Sequence, residues 1–136
     1  MPRVHERNLL IRESHLDTFG HVNNATYLQI FEESRWDWIT DGGFGLSEIR
    51  ERRQGPTILE IQIRFIRELT NREPIVVRTG MGEIRGKIFE IHQSILKAEN
   101  AVACEAVFRC GLFDLAARKL ILPTPEWLAA LGGEPG

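Results

Sequence analysis

Long apolar runs, cysteine pairs and a surplus of charge of either sign are all missing from this 136-residue chain. No stretch approaches the roughly 20 consecutive apolar residues of a membrane-spanning helix. The only two cysteines, Cys104 and Cys110, stand in one strand-like run, AVACEAVFRCGLF. Their spacing there is about 20 Å, against a limit near 7 Å for a disulfide. Both fall on the apolar side of that run, so buried free thiols in a reducing cytoplasm are expected. Seventeen basic and nineteen acidic side chains leave a formal charge of −2, which provides no sequence-wide basic field for nucleic acid. The opening MPRVHERNLLIRESH is charged every few residues and contains no apolar segment of a secretory signal. Histidines 5, 15, 21 and 92 lack the His/Cys spacing of a zinc site. GlyGlyPheGlyLeu follows a helical pattern and has no Lys-Ser/Thr after it, which excludes a phosphate-cradling loop. No Ser nucleophile elbow is present, and neither a metal nor a resident cofactor is expected.

What remains is an ordinary globular composition, 43% hydrophobic and 26% charged. The length suits one domain over residues 1–136, large enough to bury roughly 68–70% of its extended surface without covalent staples. No repeat, low-complexity stretch or linker divides it.

An extended run from Val4 to Ser14 leads into a polar, turn-forming segment, His15–Asn24. The spacing then predicts a helix over Ala25–Ile39, capped by Asn23 or Asn24 and ended by Gly42 and Gly43. Tyr27, Leu28, Phe31 and Trp38 share a broad apolar face that Ile30 and Trp36 widen, so this helix should be wrapped by other structure. A short charged helical turn follows, LeuSerGluIleArgGluArgArg. The period next changes to two, with Leu59, Ile61, Ile63 and Phe65 on one face and Glu60, Gln62 and Arg64 on the other. Further strands are expected over Pro74–Ile84, Lys87–Leu96, Ala101–Phe113 and Leu120–Leu122, the first two joined at Arg85-Gly86. A terminal helix starts at Pro125 with Thr124 as its cap. Consecutive strands with short links favour an antiparallel meander. The expected architecture is therefore α+β, a curved antiparallel sheet of about five strands around one long central helix, with a short C-terminal helix. Its open edges favour pairing between subunits.

The segment HisLeuAspThrPheGlyHisValAsnAsnAlaThrTyr, residues 15–27, carries the chemistry. Asp17 lies in a turn just before a helix start, whose free N–H groups and dipole present about half a positive charge. A carboxylate there can attack an acyl carbon or activate water while N–H groups hold the carbonyl oxygen. Gly20 removes bulk where a substrate could approach. The residues alone also allow the plainer reading, an Asp that only forms the turn.

The run Asp17-x-x-Gly20-His21-Val22-Asn23-Asn24-x-x-Tyr27, with Glu32 and Arg35 following on the helix, resembles the hotdog-fold acyl-CoA thioesterases of the 4-hydroxybenzoyl-CoA thioesterase type. The resemblance spans nearly the whole chain and implies a hotdog fold and hydrolysis of an acyl thioester to free acid and thiol. It makes Asp17 the nucleophile or general base, and the N–H near Asn24 the group polarising the carbonyl. Gly20, His21, Val22, Asn23 and Tyr27 would then contact substrate, with Tyr27 and the helix face lining the acyl pocket. Glu32 and Arg35 match family positions of less defined role, read here as a helix-surface or interface pair. His15 stands where many relatives are acidic; a charged imidazole there would favour ionised Asp17, while the alternative is a solvent-facing strand end. Ile88 replaces a Ser common after the central hairpin.

Coenzyme A is part of the substrate and needs cations for its phosphates. The resemblance favours the hairpin Arg85, Gly86 and Lys87 for this contact, including across a subunit boundary; Arg50, Arg52 and Arg53 form a second basic cluster. A homodimer, and beyond it a homotetramer, is the expected assembly, with neither nucleic acid nor membrane as partner. Two further readings stay open: a hydroxyacyl-thioester dehydratase with His21 as base, and a non-catalytic acyl-CoA-binding module.

Overall fold

The computed structural model describes residues 3–132. Strand β1 (His5–Leu10) precedes helix α1 (Asn24–Asp41), short helix α2 (Leu46–Arg52), and strands β2 (Gln54–Phe65), β3 (Pro74–Arg85), β4 (Ile88–Leu96), β5 (Val102–Asp114) and β6 (Lys119–Ile121). Helix α3 (Pro125–Ala130) follows, its first turn closed by the Trp127 N–H donating to Thr124 Oγ1 at 3.1 Å. Among the described residues no helix is long and apolar enough to cross a membrane.

All six strands form one antiparallel sheet in the order β1-β3-β4-β5-β2, with β6 extending the β4 side of β5. The meander expected from the short links holds from β3 to β6. It fails at β2, which pairs with β5 and not with β3. The connection after β2 is too long for a tight hairpin: it carries Leu69, fully buried, into the core and bonds to the loop before α1. β1 likewise stops at Leu10, short of the expected Ser14, and gives way to a 3-10 turn over Glu13–His15.

α1 lies in the hollow of the curled sheet. Its buried residues are Tyr27, Ile30, Phe31, Ser34, Arg35, Trp38 and Ile39, the i, i+3, i+4, i+7 stripe of an amphipathic helix. Leu28 and Trp36, assigned to this face from the sequence, are only half-buried, because the stripe is narrower than the helix is apolar. Phe31 meets Phe108 of β5 edge-on at 5.9 Å between centroids. On the sheet, Val77 and Thr79 of β3, Phe89, Ile91, Gln93 and Ile95 of β4, and Cys104, Phe108 and Cys110 of β5 complete the inner face. Trp127 of α3 closes one end against Phe44 and Phe89.

β2 departs most from expectation. A bulge between Ile58 and Glu60 takes Leu59 out of the alternation. Ile61, Ile63 and Phe65 then align with the inward residues Phe108, Ala106 and Cys104. Of these, Phe65 meets Tyr27 of the helix, yet Ile58, Leu59, Ile61 and Phe65 remain exposed along an unpaired edge.

Two outcomes follow from this packing. Phe31→Ala, at a position of zero exposure, should lower stability by about 3–5 kcal/mol, seen as a lower urea midpoint at unchanged slope. Burial pushes both cysteine thiols up to about 12, opposed at Cys110 by the nearby Arg35 cation. A thiol reagent at neutral pH should therefore leave both unmodified in the folded protein and titrate both in denaturant.

Candidate active site

Residues 15–24 fold as a small hairpin that ends in the first turn of α1. Leu16 bridges Val22, the Asp17 N–H donates to His21 O at 2.8 Å, and the Gly20 N–H donates to Asp17 O at 3.1 Å. This is a three-residue turn ending in a left-handed residue, and Gly20 fills that position at φ +82°. A Cβ on Gly20 would meet nothing, so its glycine serves the backbone angle and not a tight protein contact. Val22 is buried and its N–H donates to Leu69 O at 3.1 Å; His21 bridges Thr70. Arg72 adds an ion pair to Glu13 at 2.7 Å. The crossing connection after β2 thus clamps the loop from one side.

The carboxylate of Asp17 is half-buried and does form its own turn: Oδ1 accepts from the Phe19 N–H at 2.9 Å and from the His21 N–H at 3.4 Å. The turn-forming reading is therefore correct as far as it goes. It leaves Oδ2 without a hydrogen-bond partner among the described residues, so one oxygen is pinned and the other is available.

Asn23 caps α1, its Oδ1 accepting from the Ala25 N–H at 2.9 Å, while its own N–H donates to His15 O at 3.1 Å. Asn24 Oδ1 accepts from the same Ala25 N–H at 3.0 Å. Among the described residues, no acceptor is bonded to the Asn24 N–H, which lies in the first turn, where the helix dipole is positive. One turn on, Tyr27 is buried with its ring edge against Phe65 at 5.1 Å. Burial, reinforced by the negative charges of Glu73, Asp17 and Glu68, pushes its hydroxyl up to about 12, so Tyr27 stays protonated.

His15 is half-buried, and its Nδ1 accepts from the Arg12 N–H at 2.9 Å, which makes the ring a cap of the Glu13–His15 turn. His21 Nε2 lies 2.8 Å from Glu68, a partner on the β2–β3 connection that no sequence signal marked.

Arg85, Gly86 and Lys87 form the exposed β3–β4 turn, with Gly86 at φ +58° in the first central position. The turn is Gly86-Lys87, one residue beyond the Arg85-Gly86 expected, since Arg85 still pairs with Ile88. Glu83 lies 2.7 Å from Arg85 and holds its guanidinium above the ordinary range. The Asp17 loop joins the connection preceding β3, and the turn ends β3, 12 residues long and so about 36 Å away. Within one protomer the two do not meet. Arg50, Arg52 and Arg53 are exposed at α2, with Arg52 over the Phe44 ring.

Glu32 and Arg35 do not form the expected surface pair. Glu32 is exposed, whereas Arg35 is buried because it continues the Tyr27–Phe31 row by four residues. Its Nη1 donates to Gln93 Oε1 at 3.0 Å and its guanidinium lies 4.5 Å from the Phe108 ring centroid. Gln93 donates in turn to Phe31 O at 2.8 Å and to Thr79 Oγ1 at 3.0 Å. Burial depresses the Arg35 pKa, with Cys110 and Glu32 opposing. The i, i+4 relation to Phe31 was the signal that could have revealed this burial.

Two cavities among the described residues do not touch Asp17. One of about 760 Å³ crosses the outer sheet face among Arg64, Arg78, His92 and Glu105. Another, of about 230 Å³, lies between α1 and β2 and is lined by Glu32, Arg35, Trp36, Pro56, Ile58 and Ile91. No group of three or more His, Cys, Asp or Glu that could hold a metal occurs among the described residues.

The long-chain acyl-CoA thioesterase FadM of Escherichia coli is 26% identical over 85% of this chain and 88% of its own length. The structure superposes on the probable thioesterase YbaW from Escherichia coli with a TM-score of 0.85 at 24% identity, over 93% of this chain and 98% of that one. A 1,4-dihydroxy-2-naphthoyl-CoA thioesterase from Synechocystis gives a TM-score of 0.84 at 17% identity, over 95% and 96%. These likenesses establish the hotdog thioesterase fold. The model of the thioesterase-like superfamily matches residues 11–131, and the chain belongs to that superfamily.

Proposed function

We propose that this protein is an acyl-CoA thioesterase whose reaction is run by Asp17 and the N-terminus of α1. The observation that carries this reading is a carboxylate oxygen without a protein partner on a loop fused to a helix start whose Asn24 N–H is also unpaired. The thioester carbonyl oxygen takes the Asn24 N–H, and the carbonyl carbon faces Asp17. Thioesters lack the full resonance of esters, so one placed carboxylate and one oxyanion donor suffice without a triad.

Acting as general base, Asp17 takes a proton from water while the water oxygen bonds to the acyl carbon. The tetrahedral intermediate breaks its C–S bond, and the proton passes to the departing coenzyme A sulfur. Acting as nucleophile, the same carboxylate bonds to the acyl carbon as the C–S bond breaks and coenzyme A leaves as thiolate. Water then cleaves the mixed anhydride to free acid and the Asp17 carboxylate, and its released proton goes to the thiolate sulfur. Both routes need the same placement. Coenzyme A is the substrate's own leaving group, and the reaction requires no metal or resident cofactor.

The exposed apolar edge of β2 supports a homodimer formed by pairing this strand with that of a second copy, related by a twofold axis. Such pairing supplies the missing wall of the acyl pocket and allows Arg85 and Lys87 of another subunit to approach coenzyme A phosphates, in a dimer or a tetramer. His21, Asn23, Gly20 and Val22 shape the loop from which the acyl group is approached, and Tyr27 floors the pocket. The reading places the enzyme in the cytoplasm, where acyl-CoA and reduced thiols coexist.

Purified protein should release free thiol from acyl-CoAs, and Asp17→Asn should lower kcat at least about a hundredfold with the fold intact by circular dichroism. Binding of acyl-CoA without thiol release at any chain length would leave a binding module instead. Ile61→Glu should convert a dimer into monomer by light scattering and abolish thiol release together with it.

A further inference from the structure

A trough runs between the flank of α1 and the inner face of β2. It begins where Phe65, 52% exposed, meets Tyr27. By helix position and strand register, Leu28 and Ile61 lie along it. It ends in the cavity of about 230 Å³ lined by Glu32, Arg35, Trp36 and Ile58. Apolar over most of its length, it meets a charge only at that far end.

Arg35 is 8% exposed, and beyond the single bond to Gln93 its guanidinium N–H groups have no acceptor among the described residues. Arg35 lines the cavity. Tyr27, at the near end of the trough, lies one turn from the helix N-terminus that the thioesterase reading assigns to the carbonyl. Eleven residues of helix separate Asn24 from Arg35, about 16 Å at 1.5 Å per residue, the span of an extended chain of about a dozen carbons.

Resting on that thioesterase reading, we propose that the trough holds the acyl chain and that Arg35 is its stop, making the enzyme selective for linear acyl groups of about twelve to fourteen carbons. A shorter alkyl chain touches only apolar side chains. A longer one must press methylenes onto guanidinium N–H groups, stripping their water and offering no acceptor. A hydroxyl at the chain end reverses the sign: its oxygen accepts from Arg35 and its hydrogen is donated toward Glu32. Arg35 is thus a specificity residue that never touches the reacting bond.

The test is thiol release across saturated acyl-CoAs of about eight to eighteen carbons, with terminally hydroxylated counterparts at the longer lengths. The expected result is kcat/KM falling at least about tenfold beyond roughly fourteen carbons, with the terminal hydroxyl recovering much of the loss near the break. In Arg35→Met, the ratio of long-chain to short-chain kcat/KM should rise by a similar factor. The hydroxyl comparison uses the wild-type protein and stands if that variant fails to fold. A flat length profile, or a break indifferent to the hydroxyl, overturns the stop while leaving hydrolysis intact. Absence of thiol release at every length overturns the hydrolase reading and the stop with it.

Discussion

Burial of a single helix in the hollow of one curled sheet is the constraint on which everything else rests. α1 spans 18 residues and offers a stripe from Tyr27 to Ile39 to the inner faces of β3, β4 and β5. A helix wrapped in this way has its backbone polarity sealed along its length, so its unpaired N–H groups can be reached only at an end. The N-terminal end is the one at which the chain builds a hairpin, anchored through Val22 and Leu69 to the core and through Asn23 to His15. Placement of the carboxylate is therefore a consequence of packing, transmitted through backbone hydrogen bonds.

Asp17 shows how one residue can form a turn and still leave a carboxylate oxygen unpaired. A carboxylate has two oxygens, and the turn occupies only one of them. Pinning Oδ1 to two backbone N–H groups removes side-chain freedom that would otherwise be lost on meeting a substrate. The same geometry makes the plain explanation of this residue true but incomplete.

The cost of the wrapped helix appears at β2. A sheet curled around one helix leaves most of its last strand uncovered, and four large apolar side chains of that strand stay in contact with water. Alongside it lies a buried cation, Arg35, satisfied by one neutral amide and one aromatic face. Neither feature is what an isolated domain would select, and both border the same trough.

Local pattern determined a good deal of this. Period-two and helical spacings located α1, the long strands and the terminal helix, because apolar alternation and capping act over a few residues. The Asp17–Tyr27 segment was legible because turn chemistry and a helix start are local as well. Which strands become neighbours was not: β2 pairs across the sheet with β5 because its connection is spent clamping the loop before α1. Nor could the sequence tell that Gln93 bonds Arg35, or that Glu68 holds His21. Those outcomes depend on contacts between residues far apart in the chain. Only the closed tertiary structure, by placing those residues in contact, decides them.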